Sequence, residues 1–238
     1  MGDYHSRIQV RIREIERRTI RFLGGLSNRD CEYDFAYRQV VGEHVSVLDV
    51  GGCESLLPLQ LAKRGYSVTV YDFRQYPEQY PNLSTIQGDF LANKIPDNSF
   101  DFVVMISTIE HIGFGSYGAP VYADGDFLAM YQAKRILKPS GRIVLTFPFA
   151  SKEHIVSGFE RWYDIIRVQR LFEGMYLLTE EYYVPHTKVF GRVVKWLPAS
   201  LEQISSTDDV VQRYGYQCNA CYVVSPIPAS HFAKPKAV

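Results

Sequence analysis

The stretch Val47-Leu48-Asp49-Val50-Gly51-Gly52-Cys53-Glu54-Ser55 sets what this chain can fold into. A run rich in Val and Leu, Val45 to Val50, ends in an acid and two glycines before a helical pattern resumes. The run reads as a strand covered on both faces, the glycines as a tight turn, and Ser55 as the N-cap of a helix beginning Leu56-Leu57-Pro58. Glycines without Cβ atoms, set before a helix N-terminus, let backbone N–H groups approach a nucleotide-type ligand. A dinucleotide fold wants G-x-G-x-x-G here, and this turn offers only the pair Gly51-Gly52. Asp49 argues against an anion at this spot and suits a ligand with an ammonium group.

These residues resemble the first motif of the class I S-adenosylmethionine (SAM)-dependent methyltransferases, roughly [DE]-x-G-x-G-x-G after the first strand. Asp49 and Gly51 match, while Cys53 and Ser55 stand as small residues in place of the later glycines. The resemblance implies a single Rossmann-like, doubly wound α/β domain with a seven-stranded, mostly parallel sheet whose last strand is antiparallel. It implies SAM as cofactor, with Asp49 and the backbone of Gly51, Gly52 and Cys53 holding its methionine part.

Composition bounds the alternatives. The 238 residues, 46% of them hydrophobic, suffice for one large α/β domain. Lys+Arg and Asp+Glu both number 26, so no global basic field exists to hold nucleic acid, and a small acceptor is favoured. No apolar run approaches the ~20 residues of a membrane span and no signal-peptide pattern opens the chain, so the expectation is a cytoplasmic protein. Cys31, Cys53, Cys218 and Cys221 are too few for a disulfide framework, and the lone Cys218-x-x-Cys221 lacks further zinc ligands. It reads as two structural cysteines in or beside a strand.

Taken in order, Arg7 to Phe22 carries apolar residues among six arginines and reads as a basic amphipathic helix. A second helix is expected over Tyr33 to Val41, either packing as core or covering a cofactor. Residues 1–43 are thus an N-terminal helical cap and 44–225 the main domain. A helix from about Ser55 to Arg64 leads to a second strand, Tyr66 to Tyr71, ending in Asp72. That acid lies about twenty residues beyond the glycine turn, the spacing at which a carboxylate reaches ribose hydroxyls. Phe73 beside it joins the cofactor-binding candidates. A third strand, Pro81 to Gln87, closes in Gly88-Asp89-Phe90, where the resemblance assigns Asp89 and Phe90 to adenine.

A fourth strand, Phe100 to Ile106, precedes Ser107-Thr108-Ile109-Glu110-His111. Ligands of open parallel sheets sit at the carboxyl ends of the strands, so Ser107, Glu110 and His111 are expected to face the methyl donor. His111, with an unperturbed pKa of about 6.5, is the candidate general base. Some relatives bind a divalent metal through Glu-x-x-Glu-His; Ser107 replaces the first Glu here, and no metal site is assigned. His154 and the Asp124/Asp126 pair are the groups that could complete one.

The glycine-rich stretch Gly113 to Pro120 reads as a substrate wall, followed by a helix from about Phe127 to Leu137 and a fifth strand, Ile143 to Phe147. From Ser107 to Pro148, including Leu137-Lys138-Pro139-Ser140-Gly141, the chain resembles an uncharacterised methyltransferase subgroup associated with cell-surface polysaccharide genes. A helix from Trp162 to Phe172 and strands at Tyr176 to Tyr183 and Cys221 to Ser225 complete the domain, with an insertion at 184–206 and a proline-punctuated tail, 226–238. The expected activity is SAM-dependent methyl transfer to oxygen or nitrogen of a small acceptor, sugars and nucleotide sugars first. A nicotinamide or nucleotide-sugar oxidoreductase and a non-catalytic methyltransferase-like subunit are the alternatives; a nucleic-acid substrate is disfavoured by the zero net charge.

Overall fold

The computed structural model describes Ile15 and residues 27–189, 192–205 and 218–232. The basic helix expected over Arg7 to Phe22 lies outside the described residues apart from Ile15. The first described helix, α1 (Asn28–Gln39), starts five residues before the expected Tyr33. The cause is a capping box: the Ser27 hydroxyl accepts from the Asp30 amide while the Asp30 carboxylate accepts from the Ser27 amide.

The apolar runs become the strands β1 (Ser46–Val50), β2 (Ser67–Asp72), β3 (Leu83–Gln87), β4 (Phe100–Ile106) and β5 (Leu137–Phe149). Between them lie α2 (Leu57–Lys63) and α3 (Gly125–Ile136). A small ribbon follows, β6 (His154–Val156) against β7 (Glu160–Trp162), then α4 (Ile165–Leu171). Trp162 therefore ends a strand rather than opening a helix. Asp164, accepting from the Arg167 amide, is the cap that starts α4.

The sheet has eight strands, not seven, in the order β3-β2-β1-β4-β5-β10-β8-β9. The extra strand comes from the expected insertion. β8 (Tyr176–Val189) runs on past Tyr183 and folds back as β9 (Arg192–Ala199), which pairs with it antiparallel and forms the sheet edge. The short helix α5 (Leu201–Ser205) follows, and β10 (Cys218–Ser225) lies antiparallel between β5 and β8. Cys218 and Cys221 are buried in β10, and both thiols are free.

Strand residues alternate between two apolar layers. Val47, Val68, Phe102, Val104 and Val144 pack under α1 and α2 through Phe35, Ala36, Leu57 and Leu61. Leu48, Val103, Met105, Ile143 and Leu145 pack under α3 and α4 through Met130, Ala133, Ile136, Val168 and Leu171. Helices thus cover both faces, as a doubly wound sheet requires. No helix among the described residues is long and apolar enough to cross a membrane.

A buried ion network ties α3 to α4. Arg167 Nε and Nη2 each donate to one oxygen of Asp126 at 2.8 Å, and Nη2 also reaches Asp124 at 3.1 Å. Arg161 lies 3.7 Å from Asp126 and pairs with Glu153. Such a bidentate pair is strong only while both partners are present. Replacing Arg167 with Ala removes both short hydrogen bonds to the buried Asp126, leaving only Arg161 at 3.7 Å among the described residues, and is expected to cost about 3 kcal/mol in a urea unfolding experiment. A loss below about 1 kcal/mol would place the anchoring of α4 in its apolar face instead.

Candidate functional site

Strand order reverses between β1 and β4, and ligands of doubly wound folds bind at such a switch point. The carboxyl ends of β1 to β4 open there into one cleft of about 1090 Å³, counted to its open mouth. Asp49, Gly51, Gly52, Asp72, Phe73, Asp89, Phe90, Ser107 and His111 all line it. Cys53 and Glu110 do not; both lie buried beneath the surface.

Two glycines shape the floor. Gly51 has φ +78°, and a Cβ there would meet the Thr108 side chain at 2.5 Å, so the turns after β1 and β4 touch only because Gly51 is bare. A Cβ on Gly52 would stand 2.7 Å from the Asp49 carboxyl carbon. The backbone donors here are partly spent: the Gly51 amide donates to Tyr71 O at 2.8 Å and the Cys53 amide to Asp72 Oδ2 at 3.2 Å.

Arg74 spans two carboxylates at the β2 end, 2.6 Å from Glu54 Oε1 and 3.2 Å from Asp72 Oδ1. Asp89 accepts from the Leu91 amide at 2.9 Å, capping the turn that follows, and from the Tyr122 hydroxyl at 3.0 Å. Phe90 is buried edge-on to Tyr71. The glycine-rich stretch lines one wall of the cleft through Gly113, Ser116, Tyr117, Ala119 and Pro120. The Tyr117 ring lies 5.4 Å from the Arg74 guanidinium.

At the β4 end Ser107 adopts φ 43°, and its hydroxyl donates to Glu32 Oε1 at 2.6 Å. The same oxygen accepts from Thr146 at 2.9 Å, while Glu32 Oε2 accepts from Arg29 at 3.1 Å. Glu32 is fully buried, so α1 reaches over the sheet and pins this turn. Sequence reading missed Glu32, Arg29 and Arg74. The Ser27-x-x-Asp30 signal would have extended α1 far enough to include the first two.

His111 packs against the Phe159 ring at 4.6 Å, with Nδ1 3.0 Å from Phe159 O. A carbonyl can only accept, so Nδ1 carries the proton and Nε2 is the basic nitrogen. Burial lowers the His111 pKa below 6.5, against the opposing effect of that hydrogen bond. The Glu110 carboxyl, stripped of water, is held well above the usual carboxylate range, and its Oε2 has no hydrogen-bond partner among the described residues. Asp124 and Asp126, bound to Arg167, face α4 rather than His111. Among the described residues no group of three or more His, Cys, Asp and Glu side chains could hold a metal ion.

Residues 62–187, more than half of the 238-residue chain, match the model of a family described as Caenorhabditis protein of unknown function, DUF268. The chain belongs to the DUF268 family. No curated protein matches the sequence. Among solved structures, a chain from the complex between the Haloferax volcanii Trm112 methyltransferase activator and a methyltransferase is 18% identical, with TM-score 0.57, covering 82% of this chain and 88% of that one. The [4+2]-cyclase SpnF is 18% identical with TM-score 0.59, covering 82% and 80%. The Burkholderia thailandensis 1,6-didemethyltoxoflavin-N1-methyltransferase, solved with 1,6-didemethyltoxoflavin and S-adenosylhomocysteine, is 13% identical with TM-score 0.51, covering 76% and 70%. This DUF268 chain thus has the fold of SAM-dependent methyltransferases. A cyclase among the neighbours shows that the fold alone does not name the reaction.

The electrostatics of this DUF268 cleft centre on Asp49. It is 2% exposed, and Oδ2 has no hydrogen-bond partner among the described residues. Burial, with Asp72 adding repulsion, pushes its pKa up from 3.8 to about 8. The folded state therefore holds a proton that the unfolded chain gives up, and stability falls as pH rises between those values. Asp49→Asn removes that cost. The variant's melting temperature is expected to exceed the wild type's by a margin that widens from pH 5 to pH 8; a margin independent of pH would contradict the buried, raised carboxyl.

Proposed function

We propose that the chain is a SAM-dependent methyltransferase of the class I type, acting on oxygen or nitrogen of a small acceptor. The observation that carries this reading is the orphaned Asp49 carboxylate oxygen, buried on the cleft floor beneath a turn whose Gly52 leaves it uncovered. A buried acceptor without a donor is costly, and an ammonium group removes the cost. The residues present fit the methionine end of SAM on that ground. Asp49, Gly51 and Gly52 would hold the amino-acid part, Asp72 and Phe73 the ribose side, and Asp89 and Phe90 the adenine. Cys53 acts from below, its amide orienting the Asp72 carboxylate. Ser107 shapes the turn that faces the reacting end, fixed there by Glu32.

When bound, SAM supplies an electrophilic methyl group on a sulfonium. The chain's own part is to align the acceptor and take its proton. Phe159 O holds the His111 ring through Nδ1, so Nε2 is the atom that accepts a hydroxyl proton. Glu110 lies beneath it, Oε1 3.9 Å from Nε2, and burial favours the uncharged form of that carboxyl. The acceptor class follows the resemblance to the polysaccharide-associated subgroup, sugars and nucleotide sugars, for a cytoplasmic enzyme. The domain plan is the N-terminal cap, the SAM-binding domain over 44–225 and the tail.

A second reading has one observation behind it. Asp72 is engaged by Arg74 and by the Cys53 amide, as it would be in a methyltransferase-like subunit that binds nothing. Calorimetry with S-adenosylhomocysteine separates the two. Binding near pH 7 is expected to release up to about one proton, because Asp49 ionises on meeting the ammonium, seen as a heat that depends on the buffer's ionisation enthalpy. No binding would leave the non-catalytic reading standing.

The base role has its own test. His111→Ala is expected to lower kcat by about 10²- to 10⁴-fold with little change in S-adenosylhomocysteine affinity. Because burial favours the neutral imidazole, wild-type kcat/KM for the acceptor, measured at saturating SAM so that Asp49 is already ionised, should be flat from pH 7 to pH 9 and fall only below pH 6.5. An unchanged rate in the variant would assign His111 to ordering the loop.

A further inference from the structure

The cleft contains two arginines in different circumstances. Arg74 is neutralised by Glu54 at 2.6 Å and Asp72 at 3.2 Å, and is faced by Tyr117. Arg29 donates from Nη1 to Glu32 Oε2 at 3.1 Å, and among the described residues its guanidinium has no other hydrogen-bond partner. Glu32 gives its second oxygen to Ser107 and Thr146 and is fully buried, whereas 38% of the Arg29 side chain stays exposed along the cleft. A guanidinium carries five N–H donors in a planar fork, so about four remain for a ligand.

Arg29 stands on the His111 side of the cleft. Its charge acts on both Glu110 and His111, opposed there by Glu160, which lies outside the cleft lining and accepts from Trp162 Nε1 at 2.8 Å, while Asp49 is governed by burial and Asp72. On the cleft lining the nucleoside side carries Glu54, Asp72 and Asp89 against the cation Arg74, and the other side carries Arg29, whose partner Glu32 is buried away from the cleft. That polarity repels an anion from one end and draws it to the other.

We propose that Arg29 binds a carboxylate or phosphate of the methyl acceptor, holding the acceptor's nucleophilic atom against His111. The proposal rests on the methyltransferase reading and narrows it to acidic acceptors, such as uronic acids, sugar phosphates or nucleotide sugars. The fork geometry suits two oxygens of one acid group, which a neutral sugar does not offer.

The test uses the full chain as wild type, Arg29→Gln and Arg29→Lys. Lysine keeps the charge opposite Glu32, so it guards against misfolding of the glutamine variant. Each protein is titrated first with S-adenosylhomocysteine, then, saturated with it, with inorganic phosphate and with acetate. Wild type is expected to bind one of the two anions saturably, identifying the acid group as phosphoryl or carboxyl. Arg29→Gln should weaken that binding by at least about tenfold, Arg29→Lys by less, with S-adenosylhomocysteine affinity held within about twofold. The proposal is overturned if wild type binds neither anion or if both variants bind it as wild type does. It is equally overturned if Arg29→Gln weakens S-adenosylhomocysteine tenfold, which would give Arg29 to the cofactor's own carboxylate. A wild type that fails to bind S-adenosylhomocysteine sinks the methyltransferase reading before any anion is added, and this proposal with it.

Discussion

A carboxylate buried without a partner is the constraint around which this cleft is arranged. Asp49 sits at the end of a strand flanked by β2 and β4, where the sheet excludes water from both sides. Burial there raises its pKa to about 8, a cost the fold carries without any internal gain. Marginally stable chains carry such a cost where it serves a ligand. The neighbouring features then follow. Gly52 must be bare to leave the carboxylate uncovered, and Gly51 must be bare to let the β4 turn close against it.

The second organising element comes from α1. Glu32, fully buried, joins Arg29 on its own helix to Ser107 in the turn after β4 and to Thr146 on β5. A buried charge tolerates this position only because it receives several donors at once. The helix therefore does more than cover one sheet face: it sets the strained turn that leads to His111 and brings a cation to the cleft wall. Cleft floor and wall thus come from opposite ends of one stretch, with the helix preceding the strand it serves.

Much of the fold was legible because apolar runs in parallel sheets are buried on both faces and leave a strong signal. β4 spans Phe100–Ile106, the residues its apolar run marks out. The β8–β9 hairpin was not legible: Pro185, His186 and Lys188 interrupt any alternation, and its pairing of Pro185 with Trp196 is a contact that no local window contains. The early start of α1 was missed because its capping acid is Asp30 rather than Glu or Gln. Asp72 could be placed from its spacing to the glycine turn, and Asp49 and Asp89 from the family resemblance, and all three line one cleft. Glu110 and Cys53 could not be separated from them, since neighbours in sequence point to different depths. Arg29 and Glu32 depend on contacts 75 and 114 residues distant, from Glu32 to Ser107 and Thr146, which only the folded sheet creates.

In the proposed function Asp49 receives the ammonium group of a SAM-type ligand. A crystal structure with S-adenosylhomocysteine tests it most directly. The amino nitrogen is predicted within hydrogen-bond distance of Asp49 Oδ2, about 2.7–3.2 Å. The adenosine should then extend past Asp72 toward Asp89. A ligand whose amino group lies elsewhere, with Asp49 still lacking a donor, would contradict the claim.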